Sequence, residues 1–190
     1  MERVYIQDKS FDKENYTAIA LPVADYENCI FNNCDFSNSD LSKRVFLECE
    51  FITCNLSSAR LHKTAFKTVK FKDCKLLGLR FEDCDDFLFE VDFENCLLNL
   101  SSFYKMKIKK TRFKGSHLSE TDFTEADLTS AVFDNCDLTA AKFEHTILEK
   151  VDFRTSHSYS IDPELNKIKK AKFSVHGVVG LLNKYDIEIE

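Results

Sequence analysis

The sequence is poor in turn-forming residues. Its 190 residues include four glycines, two prolines and no tryptophan, beside 18 phenylalanines. No apolar run follows the N-terminal MERVYIQDKS, so we expect neither a signal peptide nor a membrane-spanning segment. We therefore expect a cytoplasmic protein, and in that compartment its eight cysteines are reduced thiols and not disulfides.

Catalytic patterns are also missing. The five histidines (62, 117, 145, 157 and 176) are scattered, and there is no spacing of nucleophile and base, no glycine-rich phosphate loop and no HExxH. The sequence therefore predicts a protein that is not an enzyme and has no cofactor. The net charge of −6 disfavours direct binding of nucleic acid and leaves protein partners open.

An apolar residue occupies every fifth position over most of the chain. From Phe31 to Phe81, and again from Leu88 to Phe153, every fifth residue is Phe or Leu, with Ile108 the single exception. The phase shifts by two residues within CDDFLFE, between the two runs. A helix needs apolar residues three and four apart and a strand needs them two apart, so neither period fits.

Small residues form a second column, two positions before each large residue. A bulky side chain in a close-packed interior needs a small neighbour there. The column is mostly cysteine, serine, threonine and alanine, but Arg44 is a large exception. An unpaired buried guanidinium is costly, so we expect a local distortion that brings Arg44 to the surface.

The stretch SETDFTEADLTSAVFDNCDLTAAKF repeats a five-residue unit. The unit consists of a small residue, then a residue that is often Asp, then a central Phe or Leu, and then two mostly polar residues. This pattern resembles the pentapeptide-repeat family over about residues 26–153. The resemblance implies an all-β solenoid, namely a right-handed quadrilateral parallel β-helix with five residues per face and twenty per coil.

With four repeats per coil, every fourth central residue belongs to one column. Column one is all phenylalanine from Phe31 to Phe153, and the columns stay coherent only if Asp86 and Phe87 form a two-residue bulge. We therefore divide the chain into three parts. Residues 1–25 are an N-terminal cap and irregular first coil, 26–153 are the repeats with the bulge at 86–87, and 154–190 are a polar loop, a last partial coil and a helix.

The cysteines raise the question of a metal site. CIFNNCDFSNSDLSKRVFLECEFITC contains two C-x4-C pairs, and four thiolates can bind zinc. Five cysteines, however, fall at the small position of column two: Cys34, Cys54, Cys74, Cys96 and Cys136. Stacked coils arrange them as a ladder that does not converge on one ion. We therefore expect buried thiols and no metal.

Apolar residues also occur at the bulge and at outward positions near the middle of the chain: Leu77, Phe87, Phe89, Leu97 and Leu100. Scattered exposed apolar residues are normal. This group is denser than that, and the alternative is a surface for a partner.

The C-terminal SVHGVVGLLNKYDIEIE predicts a short helix from about Val175 to Tyr185, with an apolar face of Val178, Val179, Leu181 and Leu182. Such a helix either caps the open end of the stack or forms a homodimer contact. The ending is similar to that of the quinolone-resistance pentapeptide proteins and the mycobacterial fluoroquinolone-resistance protein, and this similarity implies dimerisation.

Charge is arranged in bands. Residues 105–114 are basic, and residues 115–141 contain acidic side chains without a base: Glu120, Asp122, Glu125, Asp127, Asp134 and Asp137. These bands are either solvated surface or a partner site. The resemblance implies mimicry of duplex DNA toward gyrase or topoisomerase IV, in which carboxylates face a basic groove. The other hypothesis is a structural or interaction module that binds a different cytoplasmic protein through the apolar group.

Overall fold

The protein is a quadrilateral parallel β-helix, as predicted, and the computed structural model describes residues 4–189. One sheet contains β1 (Val4–Gln7), β3 (Ala24–Glu27), β5 (Val45–Leu47) and β7 (Ala65–Lys67). The other contains β2 (Ser10–Asp12), β4 (Ile30–Asn32), β6 (Glu50–Ile52), β8 (Val69–Lys72), β9 (Val91–Glu94), β10 (Arg112–Lys114) and β11 (Val132–Asp134). Every pairing is parallel.

We number the four faces in chain order from the seven-stranded sheet. Face 1 carries that sheet, face 2 contains Phe36, face 3 contains Leu41, and face 4 carries the four-stranded sheet. On faces 2 and 3, successive coils are joined mostly by isolated bridges between residues twenty apart, such as Asp35 to Asn55 on face 2 and Asp40 to Arg60 on face 3. Faces 1 and 3 are opposite one another, as are faces 2 and 4.

The corners explain how so few glycines suffice. The second residue after each central position usually has a positive φ of 50° to 65°, as in Asn38, Lys63 and Glu120. Glycine adopts this left-handed conformation most easily, and Asn and Asp tolerate it. Only Gly78 and Gly115 are glycines at such corners. Hydrogen bonds between coils hold the other residues in a conformation that they disfavour alone.

The phenylalanine rings of column one stack along the length of the rod. They stack in parallel with centroids 4.7–5.5 Å apart: Phe11, Phe31, Phe51, Phe71, Phe93, Phe113, Phe133, Phe153 and Phe173. We call these nine layers levels 1 to 9, and we count the residues of face 4 with the column-one ring that follows them in the chain. Phenylalanine rings of the opposite face 3 pack edge-on against them, for example Phe103 against Phe113 at 5.9 Å. These aromatic contacts add to the free energy of apolar burial.

The repeat is interrupted between β7 and β9. Partners that are twenty residues apart elsewhere are 22 apart here, since Phe71 pairs with Phe93. The prediction that Leu88 resumes the buried column is wrong, because 65% of Leu88 is exposed. Phe89 occupies the core position instead and packs edge-on against Phe66 and Phe81. Phe87 and Leu88 lie in a turn that projects from face 4.

Arg44 also differs from the prediction, because it is buried and not displaced to the surface. Its Nε and Nη2 groups donate to the carbonyl oxygen of Leu21, and Nη1 donates to that of Ser42 at 2.9 Å. The guanidinium thus keeps hydrogen-bond partners inside the rod, which lowers the cost of burying it.

The C-terminal helix is not confirmed. The segment contains two short 3-10 turns, Gly177–Leu181 and Asn183–Tyr185, and no regular α-helix. Gly177 and Gly180 lie directly on Tyr159, and a Cβ at Gly180 would come within 2.8 Å of the Tyr159 ring. The segment therefore lies flat across the end of the stack, with Leu181 packed against the core.

Candidate partner-binding surfaces

The column-two cysteines are core residues, and each thiol has its own backbone acceptor. Cys54 Sγ donates to the Phe31 carbonyl at 3.2 Å and Cys74 Sγ donates to that of Phe51 at 3.2 Å. Burial raises the pKa of the Cys34 and Cys136 thiols to about 11. Thiols of this kind are unreactive at neutral pH.

Two further findings concern metals and membranes. Within residues 4–189, no group of three or more His, Cys, Asp or Glu side chains is placed to hold a metal ion. In the same part of the chain, no helix has the length and apolarity needed to cross a membrane.

The six acidic residues of the predicted partner surface lie around the rod on all four faces. Glu120 and Glu125 stand at exposed corners with φ of 57° and 58°. Asp134 is exposed on face 1 and accepts a hydrogen bond from Thr155 Oγ1 at 3.0 Å. The structure thus arranges these carboxylates as a belt and not as a stripe along one face.

The other three acids are half-buried and bind their own backbone. Asp122, Asp127 and Asp137 each accept from the backbone N–H two residues ahead, at 2.8–3.1 Å. The hydroxyl of Thr139 holds the pKa of Asp137 below its usual range. These three carboxylates therefore shape their turns as well as carrying charge.

Lysines of the preceding coil neutralise part of the belt. Lys105 pairs with Glu125 at 3.5 Å and Lys109 pairs with Asp127 at 3.1 Å. An ion pair between coils also occurs outside the belt on face 1, where Lys114 of the following coil lies 2.9 Å from Glu94 in a groove of about 450 Å³. Lys105 and Lys109 thus offset part of the negative charge of the belt.

The apolar group is divided between opposite faces. Leu77, Leu97 and Leu100 belong to face 2, where Leu97 bridges Lys75 and His117. Phe87 belongs to face 4, because its ring lies 5.2 Å from Lys67 Nζ, and Phe89 is partly buried against the core. The structure therefore does not bring these five residues together.

The sequence pattern missed Leu88, which follows Phe87 in the turn and is largely exposed. Three large apolar residues in a row within the phase shift, Phe87 to Phe89, were the available signal. Phe87 and Leu88 are both 65% exposed, and Phe87 N–H donates to Asp85 Oδ1 at 3.0 Å across the turn.

The outer surface of the C-terminal segment is apolar. Val178 and Val179 are exposed, whereas Leu181 packs inward against the core and Leu182 is half-buried. Residues Val179, Leu182, Ile187 and Ile189 line a shallow groove of about 290 Å³. The four predicted dimer residues therefore divide into an outer pair of valines and two leucines that lie deeper.

Comparison with known proteins shows which family the sequence matches. The sequence pattern described as a pentapeptide repeat region matches residues 24–85 and 87–159, with its break at the projecting turn. A search among curated protein sequences finds no significant match.

Solved structures share the fold along the whole chain. A trypsin-treated form of QnrB1, a plasmid-mediated fluoroquinolone resistance protein, matches with 16% identity and a TM-score of 0.62, covering 100% of both chains. Full-length QnrB1 matches with 18% identity and a TM-score of 0.55, covering 96% of this chain and 100% of that one. The family pattern covers more than half of the chain, and the chain therefore belongs to the pentapeptide-repeat family.

Proposed function

We propose that this protein is a non-enzymatic binding rod that contacts another protein through side chains on its outer faces. The observation that carries the proposal is the Phe87–Leu88 turn, in which two large apolar side chains are exposed on an otherwise regular stack. Exposed apolar side chains of this kind mark contact sites more often than isolated ones do.

A more specific candidate partner is DNA gyrase or topoisomerase IV, bound by mimicry of DNA. The likeness to QnrB1 along the whole chain supports this candidate, as do the outward carboxylates of Glu120, Glu125 and Asp134. The ion pairs from Lys105 and Lys109 weaken it, because a basic groove would meet positive as well as negative levels.

A supercoiling assay with and without a quinolone tests the topoisomerase candidate. We expect the purified protein to change gyrase activity in proportion to its concentration, and the effect to weaken as salt rises, because exposed charges are screened over about 10 Å at 0.1 M. The triple variant Glu120→Lys, Glu125→Lys and Asp134→Lys should lose the effect, because these carboxylates would meet the basic groove.

The control is a variant with the same change in net charge on earlier coils of face 1, outside the acidic belt: Glu50→Lys, Asp73→Lys and Glu94→Lys. This control should retain the effect on gyrase. If both triple variants behave like the wild type, or if the wild type does nothing, the topoisomerase candidate is wrong. If Phe87→Ser with Leu88→Ser instead abolishes binding of a different protein, the rod is an interaction module.

A further inference from the structure

The Phe87–Leu88 turn is an unusual feature of the surface. Leu88 has a φ of +59°, a conformation that a branched side chain disfavours, and it exposes as much of its side chain as Phe87 does. The Phe87 ring lies beside Lys67 Nζ, so the turn combines apolar and cationic groups. The fold keeps this turn at level 5, the middle of nine levels.

Face 4 has opposite charge on the two sides of this turn. Toward the N-terminus it carries the acidic side chains of Asp8, Asp25, Glu27 and Glu48, with Lys67 as a base next to the turn. Toward the C-terminus it carries Lys107, Lys109 and Lys110 on level 6, Lys150 on level 8, and Lys167, Lys169 and Lys170 on level 9. Among the described residues, Asp127 and Glu149 are the acids within the lysine-rich half, and Lys109 pairs with Asp127.

We propose that face 4 binds face 4 of a second copy of this chain, with the two rods antiparallel. The two-fold axis lies in the contact plane, at a right angle to the rods and between levels 5 and 6. This operation brings level 2 opposite level 9 and level 3 opposite level 8. Residues at equal positions across the face then meet, so Glu27 faces Lys169 and Glu48 faces Lys150.

The middle of the contact fits as well. Level 5 meets level 6, so Glu90 faces Lys109 of the copy, and the two Phe87–Leu88 turns lie about one level, or about 4.8 Å, apart along the axis. The apolar side chains of the two turns then cover one another. A parallel arrangement would place each acidic level against the same acidic level, so the charge pattern selects the antiparallel one.

The size of the face predicts a weak contact. Three outward residues span about 10 Å across the face, and eight levels rise about 38 Å. A flat area of about 400 Å² per rod, or about 800 Å² in total, is smaller than a stable specific interface and fits a weak, transient contact. We therefore expect a dissociation constant in the micromolar range that rises steeply with salt, because the flanking groups are exposed charges.

Charge exchange in the full-length chain tests the register. The background carries Val178→Asp and Val179→Asp, which removes contacts through the C-terminal segment. Sedimentation velocity at low salt should show that Lys169→Glu alone and Glu27→Lys alone each weaken the dimer about tenfold, since each dimer contains two such contacts. An equimolar mixture of the two variants should dimerise again, because both contacts become attractive in the mixed pair.

Lys142→Glu on face 3 is the matched control, with the same charge change on an exposed lysine. It should dimerise like the background protein. Equal weakening by Lys142→Glu, or no recovery in the mixture, would overturn the proposed register. A background protein that stays monomeric at about 100 micromolar, well above the expected dissociation constant, would overturn the dimer itself.

Cross-linking gives an independent readout on the wild type. A carbodiimide joins a carboxylate directly to an amine, and mass spectrometry should detect Glu27 linked to Lys169. Within one rod these residues are seven levels, or about 34 Å, apart, so the link can form only between copies. Its absence while other inter-rod links form would contradict the register.

The turn is tested by Phe87→Ser with Leu88→Ser, and the matched control is Leu100→Ser on face 2. Leu100 is 63% exposed and also has a positive φ, so the control removes a comparable side chain. The turn variant should weaken the dimer at least tenfold, and the control should leave it unchanged. Binding of a different protein that depends on the turn, with no self-association, would assign face 4 to that partner instead.

Discussion

The small inward position of each repeat is a hydrogen-bonding position as well as a packing position. Thr64 Oγ1 donates to the Leu41 carbonyl at 2.8 Å, Ser156 Oγ donates to that of Phe133 at 2.8 Å, and Cys54 donates in the same way. In each case the acceptor lies 23 residues earlier. Cysteine, serine and threonine can therefore replace one another there, since each satisfies a carbonyl of the preceding coil.

Arg44 uses the same acceptor with a much larger side chain. Its bond to the Leu21 carbonyl corresponds to the bond of Thr64 one coil later. Arg44→Ala should lower the free energy of unfolding by about 1–3 kcal/mol, because it leaves that buried carbonyl without a donor. Arg44→Thr should recover about 1 kcal/mol of this loss through its hydroxyl. Urea denaturation of the three proteins measures both effects, and equal stabilities for the Ala and Thr variants would contradict the shared role.

At the scale of elements, the fold was predictable because one period governs nearly the whole chain. The sequence shows the five-residue spacing, the column of stacked phenylalanines and the two-residue phase shift, since each level repeats the same contacts. The exceptions were not predictable from that spacing. Whether Leu88 or Phe89 enters the core depends on where the chain turns, and the projecting turn places Phe89 between Phe66 and Phe81.

The C-terminal segment shows a different limit of sequence patterns. Apolar residues at Val178, Val179, Leu181 and Leu182 fit one face of a helix, but the segment must lie against the flat end of the stack. Gly177 and Gly180 lie against Tyr159 there, and the segment forms 3-10 turns instead of a regular helix. Of the four residues predicted to form the dimer contact, only Val178 and Val179 are exposed.

Gly180→Ala tests whether this close contact holds the segment in place. The added Cβ would meet the backbone and ring of Tyr159, and a backbone cannot yield easily. We expect a loss of about 2 kcal/mol or more in the free energy of unfolding. Gly78→Ala is the control, because its Cβ meets only Ser58 Oγ at 3.9 Å and its positive φ costs about 1 kcal/mol. Thermal unfolding that ranks Gly78→Ala as the more damaging change would contradict this account.

At the scale of the whole molecule, the candidate site was only partly predictable. The acidic residues were recognisable as a belt from the sequence, because the repeat phase places them outward. Their neutralisation was not, since Lys105 and Glu125 become neighbours only when coils stack twenty residues apart. The same stacking separates Leu97 from Phe87, which are ten residues apart in sequence but lie on opposite faces.

The two ends of the rod also differ. At the N-terminal end Val4 and Tyr5 expose apolar surface on the first strand, and at the C-terminal end Val178 and Val179 cover the last level with their outer sides exposed. An apolar end that is already folded into a flat layer suits a two-fold contact with its own copy. We therefore propose a homodimer through the C-terminal segment, separate from the contact proposed for face 4.

Val178→Asp with Val179→Asp should abolish the C-terminal dimer. Each aspartate would place a charge in an apolar contact, which costs several kcal/mol unless the contact opens. Light scattering at about 0.5 M salt measures this contact alone, because apolar burial persists where the charged contact of face 4 is screened. The variant should be monomeric and keep the β-sheet signal of the wild type. Leu181→Asp should instead lower thermal stability, since Leu181 packs against the core. A wild type that is monomeric at high salt, or a valine variant that remains dimeric there, would leave the segment as a lid over the last level.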